Sequence, residues 1–555
     1  MVLHLSEKVK MSIRLNIPAL RLYSQKKMIS ALVIFEEAIH RRGLINKSMC
    51  YFKAMLTLLL VGICLGWKDI VNHETGIPSP RAYYLSPSGN DKNNGSRNAA
   101  FKSIQRLNEL QLHPGDSILF EGGNQFKGSL TISFDSLGNQ KHPVLISSYG
   151  RGLASIYAGN ETGVRIFKSK WVFINNLKFQ GSGRKKGNLH DGIVIQHCSH
   201  VTVNNISISG FQKSGLLINS SEDISATNVN AFENGAAGIS VEGRNGVKSS
   251  NRRIYIGRCR AENNPGDPSN LTNHSGNGIV VSNCTNVLIE YCTATNNGWD
   301  MPRKGNGPVG IWAYEADSVI IQHCLSYRNK TSQGAADGGG FDFDGGVTHS
   351  VIQYCLSYEN QGAGYCIFQY LYASPWHDNI YRYNISVDDG TVSDAGAGIY
   401  VWNSSRDSNQ FYNSQVYNNT IYNSKVSAIS FSELSERKGF SFYNNIFIAT
   451  DNFMKGNAGT DVFMANDWWR LGAQTEKELT TGDKKVLNEN PDFKNPGKTN
   501  LTSASELKDF DFYKISSTSS LRNSGIDLQK LHGLNTGGMD FNSKKAPPTG
   551  IGASF

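Results

Sequence analysis

GIVVSNCTNVLIEYC (278–292) and GIWAYEADSVIIQHC (310–324) carry the pattern that decides the fold. Each opens on a Gly followed by alternating apolar residues and closes on a Cys that follows an apolar run. The Gly unit recurs as GIVIQ at Gly192, GLLIN at Gly215, GISVE at Gly238, GFDFD at Gly340, GYCIF at Gly364 and GIYVW at Gly398, with copies 23 to 40 residues apart. A second ladder, centred on Asn or Cys after an apolar strand, runs through Asn176, Asn205, Asn228, Cys259, Cys292, Cys324, Cys355, Asn384, Asn419 and Asn445 at intervals of 23 to 35 residues. Two ladders that advance together, with insertions of variable length, describe a solenoid whose coils pair with the coil before and the coil after. No helical periodicity competes between residues 160 and 450. An Asn at one turn can hydrogen-bond to its copies above and below. Cys fits the same small, buried slot, so the ladder cysteines read as packing residues. No CxxC or His/Cys spacing suggests zinc.

Working outward, the 555 residues include 56 Gly and only 15 Pro, which suits short strands joined by tight turns. The net charge of +9 is concentrated in residues 1–53, which carry +7 and leave +2 for the rest. A body so close to neutral gives no electrostatic case for nucleic acid. Residues 54–67 (AMLTLLLVGICLGW) form an uncharged apolar run after Lys53. That run is short for a membrane span and suits a signal-peptide core, so residues 1–67 read as a targeting region and the protein as secreted, periplasmic or cell-surface. Two alternatives remain: translation starting at Met49, or a short anchor that begins with Met1 and is not cleaved.

The ladders, together with YYLSPSGNDKNNGSRNAAFKSIQRLNELQLHPGDSILFEGG (83–123), NPDFKNPG (490–497), DFYKISSTSSLRNSGIDL (511–528) and TGIGASF (549–555), resemble the right-handed parallel β-helix superfamily with the pectin-lyase-like fold. The resemblance spans residues 83–555. It implies an all-β, single-stranded right-handed parallel β-helix, with an N-terminal cap and first coils at 83–160, a helix core at 161–455 and an irregular closing segment at 456–555. The superfamily includes polysaccharide lyases, glycoside hydrolases, epimerases and phage adhesins, so fold alone does not assign chemistry. Its polygalacturonase-like hydrolases imply an Asn-Thr-Asp and a Gly-His-Gly, and neither stands at the corresponding coils.

The register also assigns side-chain direction. In each Gly unit the first and third residues after the Gly face the core, so the second and fourth face outward. Outward pairs on successive coils are Ser240/Glu242, Val280/Ser282, Trp312/Tyr314, Asp342/Asp344, Cys366/Phe368 and Tyr400/Trp402. Two carboxylates flanked by an aromatic row suggest a groove for an extended glycan, with Trp312, Tyr314, Phe368, Tyr400 and Trp402 as subsites. Asp342 and Asp344 are then the acid/base or nucleophile pair of a glycoside hydrolase, assisted by Asp337 in AADGGGFDFDGG (335–346). In one alternative Asp337, Asp342 and Asp344 hold Ca²⁺ in a lyase or epimerase acting on a uronate, and Arg303 or Lys304 serves as base or anion ligand. In another the protein is a non-catalytic glycan binder or adhesin. Outward Asp beside Gly turns can also be plain solvated turn residues. Glu359 (with Tyr358) and His377 (with Trp376 and Asp378) are candidates for the groove border. A polysaccharide or oligosaccharide is the expected partner, no cofactor is required beyond this optional calcium, and a monomer is expected.

Overall fold

In the computed structural model, the described residues are 79–133, 138–393, 396–433, 435–450, 452–472 and 482–555. The region 1–67 assigned to targeting lies outside them. Among the described residues no helix is long and apolar enough to cross a membrane.

Among the described residues, the pairings between strands are parallel and join one coil to the next, which makes three sheets running along a β-helix. The first contains Ala237–Glu242, Gly339–Phe343, Tyr365–Gln369 and Ile399–Asn403. The second contains Val351–Gln353, Trp376–Arg382 and Phe411–Tyr417. The third contains Thr293–Thr295, Leu325–Tyr327, Leu356–Tyr358 and Ile385–Val387. Asn277–Glu290 and Val309–Gln322 turn the corner from the first sheet into the second without a break. The alternation expected from the sequence holds. Ile311, Ala313, Phe341, Phe343, Ile367 and Val401 belong to one continuous core, whereas Trp312, Cys366 and Phe368 belong to separate clusters on the other side of the strands.

The Gly ladder is also in register, because Ile279, Ile311, Phe341, Tyr365 and Ile399 stack in successive coils. Its glycines are required by close approach across the coil. A Cβ at Gly310 would lie 2.0 Å from the Ser326 hydroxyl oxygen, and one at Gly398 would lie 2.1 Å from Ile421.

The second ladder needs one correction. Asn176, Asn205 and Asn228 occupy the corner before the ladder position, with φ of 55°, 52° and 52°, stacked with Arg258, Tyr291 and His323. Asn tolerates this left-handed conformation, which is why it recurs there. The true rungs in those coils are Leu177, Ile206 and Val229, which align with Cys259. From Cys259 onward the ladder is as read. Cys259 N–H donates to Cys292 Sγ (3.4 Å), Cys355 N–H to Asn384 Oδ1 (3.0 Å) and Asn419 N–H to Asn445 Oδ1 (2.9 Å). A further rung follows at Asn466. A second polar ladder, not anticipated, joins Asn234, Asn264, Asn297, Asn329, Asn360 and Asp389.

The helix runs past residue 455, through Val462–Met464 and Asp467–Arg470. The C-terminal residues do more than close its end. Leu507, Phe510, Tyr513, Phe541 and Phe555 pack with Leu325, Leu356, Tyr358 and Ile385 along the third sheet. Their segment reaches back to the coil of Thr293, whose hydroxyl accepts from Ala504 N–H (2.9 Å). This strap covers the third sheet and leaves the first sheet free for a site.

Candidate functional site

The outer face of the first sheet carries Val280, Trp312, Asp342, Cys366 and Tyr400 in one row, residue opposite residue. Tyr314 pairs with Ser282, and Phe368 with Trp402, in the next row. Asp344 continues this row between them, its N–H donating to Ala313 C=O (2.9 Å). Two aromatic groups therefore flank the acidic coil. On one side Trp312 and Tyr314 stack at 5.1 Å, and on the other Phe368 meets Tyr400 and Trp402 edge-on at 5.6 and 5.7 Å. They wall a cavity of about 590 Å³ that Asp337, Asp344, Arg303, His274 and Tyr370 also line.

All five aromatic residues proposed from the sequence line this cavity, together with Asp337, Asp344 and Arg303. The aromatic row is less open than the alternation implied, with Trp312 only 3 % and Phe368 only 5 % exposed. The cover over Trp312 comes from the insertion before the Asn277 strand. His274 sits edge-on at 4.7 Å, and Asn277 Oδ1 accepts from Trp312 Nε1–H (3.0 Å).

Asp342 does not open onto the groove as expected. It is 1 % exposed, does not line the cavity, and its Oδ1 has no hydrogen-bond partner. Burial, reinforced by Asp344 and Asp337, pushes its carboxyl well above the usual range. Asp344 is half-buried, accepts from Gly345 N–H (2.7 Å), and is pushed up to about 7 by burial, with Asp337 and Glu315 adding to the rise. Asp337 is half-buried too, in the left-handed conformation at φ 60°. Burial raises it to about 6, against a hydrogen bond from Gly307 N–H (2.7 Å) and the charge of Arg303, both of which favour the ionised form. Gly307 is needed for this contact, since a Cβ there would lie 2.2 Å from Ala336 C=O. The insertion 299–307 thus fixes Asp337 and delivers Arg303 to the same cavity.

The other sequence candidates lie elsewhere. Lys304, in the same insertion, is exposed and does not line the cavity. Glu359 is exposed on the third-sheet side, where it pairs with Arg328 (2.7 Å). Tyr358 beside it packs under the C-terminal strap. His377 belongs to the second sheet and contacts Asp378 and Tyr412. Trp376 is a core residue, its Nε1–H donating to Phe343 C=O (2.9 Å). The calcium alternative gains nothing from the side-chain arrangement. Among the described residues, the one convergent group of His, Cys, Asp or Glu donors is His349, His377 and Asp378, not the three aspartates.

Three residues were missed. Glu315, 4 % exposed, stands at φ 45° behind Asp344; its Oε1 accepts from Ser374 N–H (2.8 Å), and a Cβ on Gly346 would lie 2.6 Å from its Oε2. A glutamate five residues after Gly310, where alternation points inward, was the available signal. His274 lies in an insertion without periodicity. Burial lowers it to about 4, so it is neutral near pH 7, and its Nδ1 accepts from Asn277 Nδ2–H (3.0 Å), leaving the Nε2 proton as its donor. Tyr370 lies beside Asp344 and Glu315, whose charges add to burial in raising its hydroxyl.

Residues 83–430 match the family described as Pel9A-like, right handed beta helix region. The chain belongs to this family. As a Pel9A-like β-helix it is also similar to individual proteins. A stretch of 139 residues, 24 % of the chain, is 31 % identical to a lacto-N-biosidase of Bifidobacterium longum subsp. longum and covers 8 % of that protein. Among solved structures, the GH136 lacto-N-biosidase of Eubacterium ramulus is 17 % identical with a TM-score of 0.48, over 70 % of this chain and 68 % of that one. Pectate lyase Pel9A is 14 % identical with a TM-score of 0.42, over 86 % of this chain and 98 % of that one.

Proposed function

We propose that this chain is a carbohydrate-active enzyme that hydrolyses a glycosidic bond, with Asp337 and Asp344 as its acid–base pair. One observation carries the reading: two half-buried carboxyls open onto one aromatic-walled cavity and are raised to about 6 and about 7. Such a pair holds a single proton between those values, and the apparent values belong to the pair rather than to either residue. Glycoside hydrolysis uses this state. The protonated carboxyl gives its proton to the leaving oxygen, while the ionised one attacks the anomeric carbon or activates water. Trp312, Tyr314, Phe368, Tyr400 and Trp402 present ring faces and edges to sugar C–H groups, and neutral His274 offers a hydrogen-bond donor. Asp342 lies beneath as a buried, protonated neighbour. The apolar run 54–67 adds a secreted or cell-surface location to this reading.

The locally similar relative is named for lacto-N-biose, so oligosaccharides that end in that unit are the first substrates to test. A uronate lyase is the second reading, favoured by Arg303 on the cavity wall as base or anion ligand. The test incubates the purified protein with such oligosaccharides and with uronate polysaccharides, and weighs the products. Products heavier by one water in total support hydrolysis. Unsaturated, ultraviolet-absorbing products overturn it in favour of elimination, and glycan binding with no product overturns it in favour of an adhesin.

A further inference from the structure

At the corner between the first and second sheets, a stack of residues in the left-handed conformation runs through Asn286, Ser318, His349, Asp378 and Asn413, and none of these lines the cavity. This stacking brings His349 of one coil against Asp378 of the next, with His377 beside it. One donor atom from each of the three lies within 4.8 Å of the other two. His349 Nε2 is 3.6 Å from Asp378 Oδ2, close to the separation of about 3.4 Å between donors of a tetrahedral zinc site with bonds of about 2.1 Å.

The surroundings are arranged as a metal's outer partners are. His349 Nδ1 is 2.7 Å from Asp317 Oδ1, so Nδ1–H donates to the carboxylate and the Nε2 lone pair is left facing Asp378. Asp317 is itself held by the Thr348 hydroxyl (2.7 Å). Asn413 Nδ2–H donates to Asp378 Oδ1, which leaves Oδ2 for the site. His377 is stacked on Tyr412 at 4.9 Å, which fixes its ring plane.

We infer that His349, His377 and Asp378 form a binding site for a divalent transition metal of the zinc type, with Asp317 and Asn413 as positioning residues. Two imidazoles among three donors select zinc, cobalt or nickel over calcium or magnesium, which take oxygen ligands. Three protein ligands leave the fourth position to water. Binding replaces the proton that His377 Nδ1 shares with Asp378 Oδ2 (2.6 Å) and releases it to solvent. The ion ties together two consecutive coils, that of His349 and that of His377 and Asp378, and Asp317 braces His349 from the coil before. This site is independent of the glycosidase reading, because none of its residues lines the cavity.

The test is calorimetric titration of the metal-free full chain with Zn²⁺, with thermal unfolding followed in parallel. The expected result is saturable binding of one ion that raises the unfolding midpoint and that excess Ca²⁺ or Mg²⁺ does not displace. His349→Ala and His377→Ala should each abolish it. Asp317→Asn should keep the stoichiometry and weaken affinity by about 10- to 100-fold. His349 is 58 % exposed, so His349→Ala should fold, and its far-ultraviolet dichroism without metal should match the parent. Absence of saturable Zn²⁺ binding overturns the inference, as does undiminished binding in both His variants.

Discussion

Replacing Asn419 with Ala removes one rung from the buried ladder that holds successive coils in register. Asn419 is 1 % exposed. Its Oδ1 accepts from Asn384 N–H and Nδ2–H (both 3.0 Å), and its Nδ2 donates to Tyr381 C=O (2.9 Å), Tyr417 C=O (3.2 Å) and Asn445 Oδ1 (2.9 Å). Several of these partners keep other bonds. Asn384 Nδ2 still reaches Ile352 C=O, Tyr417 C=O still accepts from Tyr383 N–H, and Asn445 Oδ1 still accepts from Asn419 N–H. The groups stripped of a side-chain partner are Asn384 N–H and Tyr381 C=O. At about 1–3 kcal/mol for each buried group left unsatisfied, the expected loss is about 3 kcal/mol. Asn419→Cys is the informative companion, because Cys292 Sγ accepts the Cys259 N–H in the equivalent coils (3.4 Å). A Cys at 419 would satisfy Asn384 N–H in the same way, so its loss should be about half that of Ala. Urea unfolding followed by tryptophan fluorescence measures both. If Asn419→Ala is within about 0.5 kcal/mol of the parent, or Asn419→Cys costs as much as Ala, the ladder does not stabilise the coil as argued.

Two further predictions concern the acidic coil. The rate of glycan cleavage, as kcat/KM, should pass through a maximum between about pH 6 and about pH 7 and fall on both sides; a flat profile across this range contradicts the pair. Asp342→Asn should stabilise the protein progressively as pH rises. With its folded pKa raised, Asp342 keeps its proton after the unfolded chain has lost it, so the contribution of this group to stability is full below about pH 4 and declines above it. The gain in unfolding midpoint for Asp342→Asn over the parent should therefore be larger at pH 8 than at pH 4, and an equal or smaller gain refutes the assignment.

The coil architecture was legible because it rests on repetition. The Gly positions mark where neighbouring side chains cross the interior, and the alternation that follows them separates Ile311 and Phe341 from Trp312 and Asp342. The first three Asn rungs were misplaced by one residue because Asn suits both a left-handed corner and a ladder slot, and the sequence does not distinguish the two. Outward direction was legible, but exposure was not. Whether Asp342 meets solvent depends on what lies over its row, and that cover is built by neighbouring coils and by the insertions around His274 and Arg303, which follow no period. Asp337 and Asp344 reach the cavity from the two ends of the same Gly-rich segment, a relation that becomes visible only once Gly307 and Gly345 are placed against their carboxyls.

The central claim is that Asp337 and Asp344, and not Asp342, carry the chemistry. It is tested most directly by the turnover of Asp337→Asn, Asp344→Asn and Asp342→Asn on one cleaved oligosaccharide at pH 6.5. The account predicts that kcat falls by about 10²- to 10⁴-fold in the first two variants with the fold intact, and changes by less than about tenfold in the third. Near-parental turnover in Asp337→Asn and Asp344→Asn, or loss confined to Asp342→Asn, would contradict it.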